Sequence, residues 1–342
     1  MKRFYWSFFL MFLLVGCTSE SLPKTQENRH TPDRAAKIRV LSTISMINEL
    51  VKPIGGEYIE ASTLIPSELD PHSYQLVKGD DEKLRSAQII FSNGLELEHG
   101  PSLKQYLQKS AKAVPLGNKI FEQHPDLILN EKGQLDPHIW MDISLWAKTI
   151  PFIVEKLAEA DPLHADFFHE QGIILQKNLL AAHDAIHSQL MQIPSSQRFL
   201  VTSHDAFNYF TKAYLAEDSE RTSGTWRHRF AAPEGLAPDS QLSVADIQYV
   251  ISHLKKYQIH VLFPESNVSK DSIRKIVYAG KENGLNLQIA QVSLYGDSMG
   301  PPGSDGDSYL KMIQHNARTI ANYLQSSQPS VPLTIGEACY AP

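Results

Sequence analysis

Three of the chain's fourteen histidines are set apart by their surroundings. His72 lies in Leu69-Asp70-Pro71-His72-Ser73-Tyr74 and His138 in Leu135-Asp136-Pro137-His138-Ile139-Trp140, so one Asp-Pro-His triplet occurs twice, 66 positions apart. His204, in Val201-Thr202-Ser203-His204-Asp205-Ala206-Phe207, follows after another 66. Proline fixes its own backbone and keeps the preceding aspartate extended, which presents the first two imidazoles on stiff turns. Neutral imidazole is the commonest metal ligand, and whatever bonds its second ring nitrogen sets the tautomer. Asp70 and Asp136 stand too near in sequence for that partnership to be assigned, so their role is open. A single loop histidine is ordinarily a solvated polar residue. Two copies of one triplet raise metal ligation to an equal reading, and residue types alone take it no further.

Other chemistry is missing or weak. There is no His-Glu-x-x-His, no Gly-x-Ser-x-Gly, no P-loop and no Cys-x-x-Cys; His169-Glu170 lacks the second histidine a zinc protease needs. His183 and His187 lie four apart and share a helical face, a spacing that can hold a metal but whose plainer reading is a solvated face.

The elements that must position these residues alternate. Ile38–Ser42, Tyr58–Ile65 and Ala87–Ser92 read as buried strands, with a helix from Ile44 through Val51 between the first two. In the second half, Arg198–Thr202 and His260–Phe263 read as strands, His204–Phe210 opens a helix and Asp271–Gly280 begins another. The expected fold class is α/β, with βαβ units around parallel sheets and ligands beyond the carboxyl ends of the strands. Between the halves, Pro162 to Met191 has few breakers and helical apolar spacing, a rod of about 45 Å at 1.5 Å per residue. Two α/β lobes (38–160 and 193–342) joined by one long rigid helix (161–192) is the expected architecture, and such a connector disfavours wide hinge closure.

Residues 1–16 resemble a secretory signal, with a basic start at Lys2 and Arg3 and an apolar run too short to span a bilayer. Leu14-Val15-Gly16-Cys17 resembles a bacterial lipobox, which makes Cys17 the lipidated first residue of the mature chain; the alternative is an ordinary signal with an incidental cysteine. Residues 17–37, polar and carrying Pro23 and Pro32, read as a flexible tether. With Cys17 lipidated, Cys339 is the remaining thiol, no internal disulfide forms, and a bland surface thiol is its simplest reading. The 326 residues left after the leader suit two domains at roughly 150 residues each. The formal charge of −6 becomes −8 once Lys2 and Arg3 are removed, which argues against nucleic acid as a partner.

Together these features resemble the solute-binding lipoproteins of metal-ion ABC transporters, the TroA-like or cluster A-I proteins, over about residues 38 to 324. The resemblance rests on both Asp-Pro-His segments, on Asn93-Gly94-Leu95-Glu96-Leu97-Glu98, on Thr202 through Phe210, on Leu294-Tyr295-Gly296-Asp297-Ser298, and on a final helix after Gly306-Asp307-Ser308-Tyr309. It implies an extracytoplasmic, membrane-anchored, monomeric receptor in the periplasm or at the cell surface. That receptor captures Mn²⁺, Zn²⁺ or Fe²⁺ and delivers it to an inner-membrane permease with a separate ATPase, without enzymatic chemistry. The resemblance places the ion between the lobes on His72, His138, His204 and Asp297; Asp305 and Asp307, nearby in a Gly/Pro-rich loop, compete with Asp297 for the fourth position. Capture by neutral imidazoles is expected to weaken as pH falls through about 6.5.

The same resemblance leaves the ion open. Some zinc-specific relatives carry a His- and acid-rich loop before the second ligand, whereas Asn118–Asp136 holds only His124. Manganese-specific relatives often use Glu third, where this chain has His204. It makes Glu96 and Glu98 scaffold or surface residues. Glu265, at a strand end facing the expected cleft, is a candidate to support a ligand or to ligate, against a plain structural role. Arg221, Trp226, Arg227 and Arg229 read as a loop contacting their own lobe or a transporter subunit. The rivals are a zinc hydrolase, which needs an open coordination position and a general base, and an adhesin stabilised by metal.

Overall fold

The computed structural model describes Met1, residues 37–237 and residues 242–325. The rest of the leader, Cys17 with the tether to residue 36, and Cys339 lie outside the described residues. The first lobe is built on four parallel strands, β1 (Ile38–Ser42), β2 (Ile59–Thr63), β3 (Ile89–Ser92) and β4 (Ala113–Pro115), in the order β2-β1-β3-β4. Ile38 pairs with Ile59 on one side, and Val40 pairs with Ile89 on the other. All four residues of β3 are buried. Helices cover both faces of a parallel sheet, which is why this strand reads as an unbroken apolar run rather than an alternation.

A hairpin not expected from the sequence, β5 (Asn130–Glu131) and β6 (Gln134–Leu135), turns through Lys132 and Gly133 at positive φ and leads straight into Asp136-Pro137-His138. The second lobe carries β7 (Leu200–Val201), β8 (Phe230–Ala231), β9 (Val261–Leu262) and β10 (Gln288–Ile289), which pair in parallel as β7 with β8 and β9 with β10. The Phe263 N–H donates to Val201 O at 2.8 Å and links the two pairs.

These strands are shorter than the sequence suggests, for a definite reason. Arg198 leaves the strand because its buried guanidinium donates to the carbonyls of Met191, Ile193 and Leu215. The helix expected from His204 begins instead at Asn208 and runs to Tyr214. The Ser203 and His204 N–H groups point at the Glu265 carboxylate, so they do not lead into a helix.

The connecting rod is one turn of 3-10 helix, Pro162–His164, followed by a 26-residue α-helix, Ala165–Leu190, about 39 Å at 1.5 Å per residue. Tyr58 stacks on His164 with ring centroids 3.8 Å apart. His183 lies 3.0 Å from the Tyr214 hydroxyl and 3.4 Å from Asp142, so it joins the two lobes and is not part of a solvated face. The main core runs without interruption from the first sheet through Phe168 and Leu179 to Phe210, Tyr309 and Ile313, and a smaller one lies among Phe199, Val250, Leu254 and Ile273.

The rod packs against the helix Ile150–Ala160 at Gly172, where an added Cβ would stand 2.5 Å from Val154 Cγ2. Overpacking a fitted core costs about 1–3 kcal/mol. Gly172→Val is therefore expected to lower the midpoint of thermal unfolding by several degrees without altering the ligand cluster described below; calorimetry of the variant checks this.

Candidate metal centre

Loops that follow parallel strands, together with the segment after the β5–β6 hairpin, meet at the seam between the lobes. His72 stands on the turn beyond β2, His138 at the start of the short 3-10 turn Ile139–Met141, His204 just beyond β7, and Asp297 beyond β10. Their ligand atoms all lie within 4.8 Å of one another, and all four side chains are buried. Asp305 and Asp307 stay outside this group; Asp307 accepts from Lys311 and from the Gly303 N–H instead.

The three Nε2 atoms face inward. His72 and His138 approach to 3.2 Å through these atoms, His138 Nε2 lies 3.2 Å from Asp297 Oδ1, and His204 Nε2 lies 2.9 Å from Asp297 Oδ2. His72 Nε2 is 3.7 Å from Asp297 Oδ2. Ligands about 2.0–2.1 Å from a tetrahedral zinc stand about 3.3–3.4 Å apart, so these separations suit one ion. Both Asp297 oxygens and His204 Nε2, fully buried and facing inward, lack a well-angled hydrogen bond. An unsatisfied buried polar atom costs about 1–3 kcal/mol, and a cation between these atoms would remove that cost.

The outer nitrogens explain why the rings stand so. Asp136 Oδ1 lies 2.7 Å from His138 Nδ1 and also accepts the His138 N–H at 2.9 Å. Glu265 Oε2 lies 2.7 Å from His204 Nδ1, while its Oε1 accepts from the Ser203 and His204 N–H groups. Such carboxylate partners orient a ligating imidazole and make it more basic. The two triplets therefore differ. Asp70 accepts the His72 N–H at 2.8 Å and the Ser73 hydroxyl, so it shapes its turn without reaching the ring.

Electrostatics follow from these contacts. Burial opposes protonation of His138, but Asp136 and Asp297 outweigh it and raise the ring to about 9. Burial likewise opposes protonation of His204, and Asp297 with Glu265 holds it well above the ordinary value. Burial dominates at His72, pushing it down to about 3. Asp297 is pulled well below the usual carboxylate range by His204 and His138, against its own burial. Without metal, these contacts favour a proton on His138 and on His204 and a negative charge on Asp297 between them.

Residues 40–323 match the sequence profile of the family described as ZnuA, "Zinc-uptake complex component A periplasmic". The chain belongs to this family. Metal-binding protein YtgA of Chlamydia trachomatis is 35% identical over 314 residues, 92% of this chain and 94% of that protein. Its Fe(III)-bound crystal structure superposes with a TM-score of 0.79 at 36% identity, covering 84% of this chain and 98% of that one. The manganese-binding lipoprotein MntA of Bacillus subtilis is 31% identical over 326 residues, 93% and 97% of the two chains. The structure of the periplasmic zinc-binding protein TroA of Treponema pallidum gives a TM-score of 0.75 at 28% identity, covering 84% and 99%.

Within this ZnuA-family scaffold the remaining charged candidates have structural work. The buried Glu98 carboxylate accepts from the Thr43 hydroxyl and from the Asn93 and Gly94 N–H groups, tying down the left-handed turn at Gly94, Leu95 and Glu96. Asn93 then donates to Pro137 O at 3.0 Å and steadies the His138 turn. Glu96 is an exposed partner of Lys104. Arg229 pairs with Glu220 inside its own lobe, and Arg227 reaches across to Glu131. His187 lies 3.4 Å from the Arg221 guanidinium. Three contributors escaped the sequence reading: Asp136 as the partner of the His138 ring, Asn208 donating to Asp136 Oδ2 at 3.0 Å, and Trp140 donating to Gly296 O at 3.1 Å. Their signal was their position inside the same short motifs as the histidines.

His138 takes up a proton near pH 9 folded but near 6.5 unfolded. Its contribution to the metal-free fold is thus complete below about 6.5 and is lost as pH rises through about 9. Metal-free protein should become easier to unfold with urea between pH 7 and 9.5, and Asp136→Asn, which removes a carboxylate that raises this ring, should flatten that trend. A variant with the wild-type pH slope would show that the pairing does not govern His138.

Proposed function

We propose that this chain captures one divalent transition metal, Mn²⁺, Zn²⁺ or Fe²⁺, outside the cytoplasm on His72, His138, His204 and Asp297, and delivers it to an ABC permease and its ATPase. The ion is cargo, so the site must hold it and also give it up. The convergence of three Nε2 atoms and one carboxylate, contributed by both lobes and left without other partners, carries this reading. Membership of the ZnuA family and similarity to proteins named for iron, manganese and zinc support it. Lipidation of Cys17 with a flexible tether, and action as a monomer, belong to the same proposal.

Charge balance explains why a buried seam accepts a dication. Two protonated imidazoles compensate the carboxylates before capture, and a +2 ion that displaces both protons leaves the net charge unchanged. The proton competition lies higher than the unperturbed histidine value suggests, because Asp136 and Glu265 make two of the rings more basic. Both Asp297 oxygens face ring nitrogens, so the carboxylate can add a fifth bond for an ion that favours more than four. Nitrogen ligands suit zinc and iron, and the affinity order puts Mn²⁺ below both. Zinc therefore binds tightly in solution whichever ion is the physiological cargo.

A crevice of about 10 Å³, lined in part by Ile65, Ser67, Leu69, Asp297 and Met299, adjoins the cluster. It has room for about one water and marks the 65–69 loop as the side from which an ion enters or leaves. A hydrolase reading finds less support: Asp136 and Glu265, two carboxylates beside the cluster, each face the outer nitrogen of an imidazole, on His138 and His204.

Competition titrations with Zn²⁺ and Mn²⁺ should give one site per chain, with apparent affinity rising with pH from 6 to about 9 and protons released on binding. His138→Ala should lower affinity by at least a hundredfold. Full occupancy in that variant, checked by elemental analysis of protein purified from its own compartment, would refute the site.

A further inference from the structure

Alternate residues of one short segment reach across the seam. Asp136 receives the Asn208 amide on Oδ2 and the Tyr209 hydroxyl on its carbonyl, His138 faces His204 and Asp297, and Trp140 is held at both ends. The Trp140 indole N–H donates to Gly296 O at 3.1 Å, and its carbonyl accepts the Tyr309 hydroxyl at 2.7 Å. Trp140 is fully buried and sits two residues after His138, while Gly296 immediately precedes Asp297. Side chains at 136, 138 and 140 are thus fixed by second-lobe partners while their backbone belongs to the first lobe.

Gly296 is where this bond meets the ligand set. A Cβ there would stand 2.3 Å from Glu265 Oε2 and 3.4 Å from His204 Cε1, so the Asp297 loop lies against the very groups that orient His204. On its other side the loop is pinned by Asn316, which accepts from Tyr295 N–H and donates to Tyr295 O. Those restraints come from within the second lobe and would travel with it. The Trp140 bond comes from the lobe that carries His72 and His138, and it fixes where Asp297 stands relative to them.

Resting on the reading of the four residues as metal ligands, we infer that Trp140 is a positioning residue that sets how long the ion stays bound. Its hydrogen bond to Gly296 holds Asp297 in register with the first-lobe histidines, and separating the lobes by even a fraction of an ångström at this point draws Asp297, together with His204, away from His72 and His138. Lobe displacement and opening of the ligand set are one event.

Trp140→Phe deletes the indole N–H and keeps an aromatic ring, and Tyr309→Phe deletes the hydroxyl that steadies Trp140. Tyr214→Phe is the control, because it removes another hydroxyl that bonds across the lobes, accepting the Ile143 N–H at 3.2 Å and lying 3.0 Å from His183 Nδ1, outside the Trp140–Gly296 contact. Each full-length variant would be loaded with Co²⁺, whose visible absorption reports the coordination sphere, and its release to excess chelator followed by stopped flow. Trp140→Phe should release Co²⁺ about 3- to 10-fold faster, the factor one neutral hydrogen bond supplies, with an altered absorption band. Tyr309→Phe should move in the same direction and Tyr214→Phe should stay near wild type, although all three lower the metal-free melting temperature. Wild-type release from Trp140→Phe, or equal acceleration in Tyr214→Phe, would overturn the inference. Tyr309→Phe leaves the core ring in place and decides the matter if Trp140→Phe does not fold, wild-type release again overturning it. Failure of the wild-type protein to bind Co²⁺ would instead overturn the proposed function.

Discussion

A carboxylate taken fully out of water needs donors or positive charge, and in this molecule Asp297 is the one that faces ring nitrogens in place of main-chain donors. It meets His138 and His204 at hydrogen-bonding distance with no solvent to share the load. An ion this deeply buried is tolerated only when paired, so the two lobes are not free to part while Asp297 stays charged. Positive charge, from ring protons or from a cation, is what this carboxylate calls for at the seam. That condition links the fold to its cargo, because the cluster that stabilises the metal-free protein is the one a dication replaces.

Everything near the seam serves that pairing. Asp136 and Glu265 work one layer out, each gripping the outer nitrogen of a ring and at the same time accepting main-chain N–H groups of the loop that carries it. Glu98 and Asn93 lie further out still, holding a left-handed turn and the Pro137 carbonyl. His72 stands apart. Its ring has no carboxylate of this kind on its outer nitrogen among the described hydrogen bonds, and burial keeps it neutral. The three rings therefore differ in how readily they hold a proton, His72 least of all. The long helix and the continuous core that joins it to both lobes restrict relative motion to small displacements, which suffice where ligand atoms stand about 3 Å apart.

Much of this was legible in the chain itself. The apolar runs of β1 and β3 announced buried parallel strands because a sheet covered on both faces admits no alternation. The breaker-free stretch after Pro162 announced the rod. The duplicated Asp-Pro-His triplets and the later motifs picked out all four converging side chains. Element ends were less legible, since Arg198 and His204 leave regular structure for partners 17 and 61 positions away. Local propensity carries no trace of such bonds.

The amino-acid sequence alone determined the α/β class, the motifs that hold the candidate histidines and the stiffness of the turns that carry two of them, because these depend on side-chain type and short-range backbone restriction, while Asp297 entered through the family resemblance. Only the tertiary structure decided what each aspartate in the paired triplets does, which rings face a carboxylate on their outer nitrogen, and that Trp140 ties the His138 turn to the Asp297 loop. Those outcomes depend on distances between segments far apart in the chain and on the low polarity of the space they enclose, and neither exists until the lobes have packed.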